Sequence, residues 1–325
     1  MISPRLFGLD YKPEESRRIV LPVPWDATTS YRSGTAGGPQ AILEASSQLD
    51  LYHPLVDRFW EDGLAMVPIS DQIEAQNQKC RQISAPIITA LNLNPESKVS
   101  RKDVDAVNKM TADCHQWVES ACLSFLEKGK SVALIGGEHS VSIGLIRALG
   151  KIRGEFGVLQ IDAHMDLRES YQGFIDSHAS VMSLADQVPA VSRIIQVGVR
   201  DFCEDEQTRV LGSNSKIRTF SDWAMKEKLF SGMPWSSICD EIVAALPDQV
   251  YISFDIDGLE PGCCPHTGTL VPGGLSYDQA IHLLAAVWRS GKQIIGADLV
   301  EVAPGPTEWD GNVGSRLIFF LLGLL

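Results

Sequence analysis

Three short stretches hold side chains whose types and spacing suit metal-assisted hydrolysis: Gly136-Gly137-Glu138-His139-Ser140, Asp162-Ala163-His164-Met165-Asp166 and Asp255-Ile256-Asp257. In extended chain, residues two apart project to the same side. Asp162, His164 and Asp166 are therefore expected to converge, and so are Asp255 and Asp257. With His139 they bring carboxylates and imidazoles to one spot. Carboxylates crowded together raise one another's pKa and resist ionising at once. Two divalent cations would supply the missing positive charge. An oxygen-rich, imidazole-assisted donor set suits Mn²⁺ or a similar first-row ion better than a thiolate zinc site. A lone histidine or a lone DxD says little, and it is the three stretches together that carry the expectation.

Each stretch lies just past an apolar run, where open parallel sheets place their ligand sites. Such runs recur at 18–23, 64–67, 132–135, 158–161, 193–199, 217–220, 250–254 and 294–299. Several are apolar almost throughout, as expected of strands covered by helices on both faces. Amphipathic segments alternate with them, which predicts a parallel α/β sheet. Val104, Val107, Cys114, Trp117, Ala121 and Phe125 recur at helical spacing, with Ser100 and Asp103 as a capping box and Gly129 as a stop. The segment 71–102 reads as a connection with partial helix.

The chain has 325 residues, 44% hydrophobic and 21% charged, with no repeat, linker or low-complexity tract, so one domain spanning 1–325 is expected. A net charge of −13 argues against a nucleic-acid partner. The N-terminal stretch lacks the apolar run of a signal peptide, and a cytoplasmic protein is expected. The closing LIFFLLGLL is shorter than the roughly 20 residues that cross a bilayer, so it reads as a buried last helix and no membrane partner is expected. Seven cysteines without a CxxC pair suit free thiols in a reducing compartment. Adjacent Cys263 and Cys264 read as loop packing rather than metal ligands.

At these residues the sequence resembles the ureohydrolase family of arginase, agmatinase and formimidoylglutamase. GGEHS, DAHMD and SFDIDGLEP resemble its metal motifs. Pro24-Trp25-Asp26-Ala27-Thr28-Thr29-Ser30-Tyr31 and Gly34-Thr35-Ala36-Gly37-Gly38-Pro39 resemble its first loop. Pro265-His266-Thr267-Gly268-Thr269 and Val271-Pro272-Gly273-Gly274-Leu275 resemble its substrate loop, and Leu299-Val300-Glu301-Val302-Ala303-Pro304 its last catalytic strand. The resemblance implies a three-layer α/β/α sandwich around an eight-stranded parallel sheet. It also implies a homo-oligomer, trimeric or hexameric.

By that resemblance one ion would be held by His139, Asp162, Asp166 and Asp255, and a second by Asp162, His164, Asp255 and Asp257. Mn²⁺ is the expected metal, with Ni²⁺ the alternative. A water bridging two cations loses a proton at neutral pH and becomes the nucleophile. Asp166 would orient it. Glu301 would grip a guanidinium by a planar two-point contact, and His178 would shuttle a proton to the leaving amine. Thr269 is expected to line the site. Arg168 either faces the substrate tail or pairs with nearby Glu169 or Asp176, the second being the preferred reading. Segment 171–180, which holds His178, has the composition of a flexible loop.

Glu260, Ala179 and Leu270 depart from the family's usual aspartate, glycine and proline, and bear on substrate choice rather than class. PVPWDATTSY, CPHTGT and the closing EWDGNVGSR look most like the agmatinase-like branch, which also includes guanidine hydrolases. The partner is thus a small guanidino or amidino compound. Agmatine comes first and free guanidine second, followed by guanidino acids and formimidoylglutamate. A single-zinc deacetylase and a non-catalytic homologue that keeps the metal cage are the rival classes.

Overall fold

A computed structural model describes residues 5–325. Part of the N-terminal stretch bearing on a leader, residues 1–4, lies outside them. Eight parallel strands form one sheet in the order β2-β1-β3-β8-β7-β4-β5-β6. They are β1 (Arg18–Val23), β2 (Leu64–Met66), β3 (Ser131–Gly136), β4 (Phe156–Ile161), β5 (Val191–Val197), β6 (Ile217–Phe220), β7 (Gln249–Asp255) and β8 (Gln293–Val300). Every expected strand is present, with bounds shifted by a residue or two at most ends, as is usual for element ends.

The helices are α1 (Gly38–Ala45), α2 (Asp71–Leu93), α3 (Arg101–Leu126), α4 (Ser142–Ile152), α5 (Val181–Asp186), α6 (Glu204–Gly212), α7 (Asp222–Phe230), α8 (Trp235–Ala245), α9 (Tyr277–Arg289) and α10 (Trp309–Leu324). They cover both faces, making three layers. Strand side chains alternate between two cores. Ala133 and Ile135 of β3 belong to the core that includes residues of α8, α9 and α10 on one face. Val132 and Leu134 belong to the core that includes residues of α2, α3 and α4 on the other. This double burial is why the strands read as unbroken apolar runs.

The apolar C-terminal run lies in α10 and is almost wholly buried. No helix among the described residues is long and apolar enough to cross a membrane. All seven cysteines are free. Cys264 is buried and donates to Asp310, and neither Cys263 nor Cys264 joins a group that could hold a metal among the described residues.

Two expectations need correction. Segment 71–102 is no loose connection: α2 runs from Asp71 to Leu93, with Ser70 capping it by accepting from the Ile73 amide. Pro86 lies inside this helix, and a proline there, in a segment crowded with polar side chains, masked the pattern. At α3 only half of the capping box forms: Ser100 accepts from the Asp103 amide. Gly129 ends that helix region with a φ of 73°, a conformation glycine adopts without penalty.

Candidate active site

The adjoining strands β3, β8, β7 and β4 end side by side, and each sends chain into one cluster. His139 follows β3, Asp162 to Asp166 follow β4, Asp255 closes β7 and Glu301 follows β8. Residues far apart in sequence thus meet because four central strands stop along one edge. Close approach is required there. A Cβ on Gly258 would lie 2.7 Å from the Asp162 nitrogen, and one on Gly137 would lie 2.1 Å from the Trp25 carbonyl oxygen.

Local backbone, however, is not the extended chain the i, i+2 spacing implied. β4 stops at Ile161, and Asp166 adopts a left-handed φ of 54°. Residues 256–258 form a 3₁₀ turn. Convergence comes from hydrogen-bonded turns: the Asp257 amide donates to Asp255 Oδ1 at 2.9 Å, and the His164 amide donates to Asp162 Oδ1 at 2.6 Å. The Ala163 amide donates to Asp257 Oδ1 at 3.0 Å, tying the two turns together. Glu301 also has a left-handed φ, 62°. Two non-glycine residues held in that sparsely populated region at one site point to a functional constraint. The Asp166 carbonyl accepts from the Met182 and Ser183 amides at the start of α5, which holds its conformation.

All six residues read as ligands are brought together. Nδ1 of His139 lies 3.1 Å from Asp162 Oδ2, 3.0 Å from Asp166 Oδ2 and 3.4 Å from Asp255 Oδ2. Nδ1 of His164 lies 3.1 Å from Asp257 Oδ2 and 3.5 Å from Asp162 Oδ1. Two groups able to hold a metal ion result, His139 with Asp162 and Asp255, and Asp162 with His164 and Asp257. Asp162 belongs to both, one oxygen facing each imidazole.

The donor chemistry fits cations. Tyr251 and Ser253 hydroxyls both donate to Asp298, the latter at 2.8 Å. Since the Ser253 proton goes to Asp298, Ser253 Oγ receives Nε2–H of His139 at 2.9 Å. In the neutral ring Nδ1 is then left with its lone pair toward three carboxylates. It is buried and makes no aligned hydrogen bond to any of them. A lone pair facing carboxylate oxygens repels them unless a proton or a metal cation lies between.

Charge regulation gives the same answer. Burial lifts the Asp166 carboxyl to about 7, helped by the charge of Asp162. Burial, then Asp257 and Asp162, hold Asp255 well above the ordinary carboxylate range. Glu301 is raised by burial and then by Glu138. For Asp162, burial opposes ionisation, but contacts with His139 and His164 outweigh it and lower its pKa. Burial also opposes charging the two imidazoles, and the carboxylates around them reverse this. The bare cluster thus gathers protons to offset its own charge, and divalent cations would displace them.

Ser30, Arg168, Tyr171, His178, Asp201, Glu206, Thr269 and Glu301 line the cavity above the cluster. Its volume of about 130 Å³ admits a small solute, since one water needs roughly 10–15 Å³ by this measure. Glu301 Oε1 accepts from the His139 amide at 2.9 Å, while Oε2 has no hydrogen bond among the described residues. Thr269 lines the wall as expected. Arg168 is there too, but its partner is neither Glu169 nor Asp176. It lies 3.7 Å from Glu206 and stacks over Tyr171 at 5.0 Å, because α6 and the turn at 171–174 fold back toward it. His178 is held rather than loose: its amide donates to Thr28 Oγ1 at 3.1 Å, and Nε2 lies 3.2 Å from Ser30 Oγ.

The sequence alone did not single out Thr28, Ser30, Glu138, Ser253, Asp298, Asp201 or Glu206. Thr28, Ser30, Glu138 and Ser253 stand inside the motifs given above, so the signal was present without a role attached.

The model described as "Arginase family" matches residues 16–319. The N(1)-aminopropylagmatine ureohydrolase of Thermus thermophilus is 32% identical over 98% of this chain and 94% of its own length. The agmatinase of Bacillus subtilis is 28% identical over 94% of this chain and 90% of its own length. Among solved structures, the agmatine ureohydrolase of Thermoplasma volcanium shares the fold with a TM-score of 0.75. It is 22% identical, with 100% of this chain and 94% of that one covered.

Proposed function

The chain belongs to the arginase family, and on that premise we propose that it hydrolyses the guanidino group of a small cationic amine, releasing urea, at the strand-end cluster. It is a ureohydrolase, a hydrolase of C–N bonds in linear amidines, of agmatinase-like character. One observation carries the site assignment: the two oxygens of Asp162 face two separate imidazole nitrogens, each within a donor group that could hold a metal.

In this reading His139, Asp162, Asp166 and Asp255 would hold one ion, and Asp162, His164, Asp255 and Asp257 would hold the other. Mn²⁺ is the first assignment and Ni²⁺ the alternative. Bound there, the cations would supply the positive charge that acidifies a water at neutral pH. Asp166 would orient a water toward the guanidinium carbon. Glu301, with Oε1 pinned and Oε2 open to the cavity, receives the guanidinium N–H groups. Burial first, then the charge of His164 and His139, brings His178 down to about 3, so its resting imidazole is neutral. In this reading it relays a proton to the departing amine. The balance is a protonated alkylguanidine plus water giving an alkylammonium and urea.

Agmatine is the first substrate, converted to putrescine and urea. A longer guanidino polyamine is the second reading, favoured by the 32% identity to the Thermus thermophilus relative and by Asp201 at the cavity wall, its side chain 66% exposed. Free guanidine ranks below both, because it has no tail for Asp201 to meet.

A panel of agmatine, N(1)-aminopropylagmatine, guanidine, arginine, guanidinobutyrate and formimidoylglutamate tests this, with Mn²⁺ and Ni²⁺ loaded separately. Urea, formamide and ammonia are measured apart. Urea from a guanidino amine supports the proposal. Formamide from formimidoylglutamate, or deacetylation by an enzyme with one zinc per chain, overturns it.

A further inference from the structure

His178 does not stand alone. Thr28 Oγ1 meets three groups: it lies 2.8 Å from Glu138 Oε1, 3.3 Å from His178 Nδ1 and 3.1 Å from the His178 amide nitrogen. A hydroxyl has one proton and two acceptor sites. Glu138 is fully buried, which raises its carboxyl to about 7 against the pull of its hydrogen bonds, and in its ionised form it accepts from the Thr28 amide at 2.7 Å, from Ser140 Oγ at 2.6 Å and from the Thr28 hydroxyl as well. Both Thr28 acceptor sites then go to His178, one to its amide and one to Nδ1–H. The ring is left with Nδ1 protonated and Nε2 bare, facing Ser30 and the cavity.

We propose that Thr28, oriented by Glu138, is a positioning residue that fixes the tautomer and the facing of His178 for proton transfer. The assignment rests on the hydrolase reading above for its catalytic consequence, but not for its geometry. The loop that carries Thr28 is itself braced by α2. Asp26 Oδ1 accepts from Asn77 at 2.9 Å, Arg81 donates to the Thr29 carbonyl at 2.8 Å, and Asn92 donates to the Ser30 carbonyl at 2.7 Å. The helix that the sequence concealed thus holds the histidine's support in place.

The test pairs Thr28→Val with Thr28→Ser in the full-length, metal-loaded enzyme, with metal content and melting temperature recorded for each. Valine keeps the shape and the backbone amide bond to Glu138 but removes the hydroxyl. It is expected to lower kcat about 10- to 100-fold, part of the roughly 10²- to 10⁴-fold that general acid–base catalysis contributes, with KM changed less than about threefold. Serine is expected to restore kcat to within about threefold. Histidine ¹⁵N NMR of the protein loaded with diamagnetic Zn²⁺ in place of Mn²⁺, with the His178 signal assigned by its loss in His178→Gln, reads the tautomer directly. Protonated Nδ1 is expected in the wild type and in the serine variant, and a mixed or Nε2-protonated form in the valine variant. A valine variant with wild-type kcat, a serine variant as slow as the valine one, or a tautomer unchanged by removal of the hydroxyl overturns the proposal. The NMR result does not depend on substrate, so failure of the hydrolase reading would leave the panel negative while the tautomer still responded to Thr28.

Discussion

The His139 amide donates to Glu301 Oε1 across 2.9 Å, joining the end of β3 to the end of β8. The residue whose side chain enters the metal-type cluster therefore also fixes, through its backbone, the carboxylate that would meet substrate. Further bonds complete the hold: the Glu301 amide donates to the Gly137 carbonyl at 2.7 Å, and its carbonyl accepts from Thr267 Oγ1 at 2.6 Å.

Glu301→Gln keeps the bond from His139 and removes the charge. Charge-assisted hydrogen bonds contribute about 1.5–3 kcal/mol, so kcat/KM for a guanidino substrate should fall about 10- to 100-fold. Bound metal, measured by atomic emission, should be unchanged. Loss of metal in this variant would mean that Glu301 belongs to the cage instead.

Asp162→Ala should remove both ions, because its two oxygens serve both donor groups. Urea release should fall to background along with the metal content. Full metal occupancy in this variant would refute the shared role.

Acid should expose the buried His115. Burial lowers its pKa to about 3 from an ordinary value of 6.5, with Arg147 adding to the effect. Between those values the unfolded chain binds a proton that the folded chain refuses, so stability falls as pH drops from 6.5 toward 3. The slope from this group approaches about 1.4 kcal/mol per pH unit. Urea denaturation across that range should show a shallower pH dependence in His115→Gln than in the wild type, by up to one proton. Equal slopes would contradict the assignment.

Asp201→Asn should discriminate among substrates. An exposed charge pair contributes about 0.2–1 kcal/mol, so KM for agmatine should rise roughly 1.5- to 5-fold with kcat little changed. Guanidine, which lacks a distal ammonium, should respond less. Equal changes for the two would place the substrate tail elsewhere.

Much of this molecule was legible in its sequence because double burial leaves an unmistakable mark. Runs such as 132–135 and 158–161 are apolar on both faces, and the groups that follow them stand at strand ends by topology. The residues that the spacing named do converge, but not for the reason it gave, since Asp166 reaches the cluster through a left-handed turn and not through extended chain. α2 was hidden by Pro86 and by its polar composition. Partnerships across long separations left no local trace. Arg168 meets Glu206 only because α6 packs beside it, and Thr28 meets Glu138 and His178 only once β3 and the 171–180 segment fold around the first loop. Motifs marked the residues proposed to do chemistry, while the groups that aim them emerged from tertiary structure.

Metal stoichiometry followed together with urea release is the most direct measurement. The chain is stripped with a chelator and titrated with Mn²⁺, and bound ion and initial rate on the best substrate are recorded at each step. Urea release should climb to a plateau as occupancy reaches two ions per chain. Full turnover with a single ion, or turnover that survives complete removal of metal, would contradict a catalytic centre built on the shared carboxylate of Asp162.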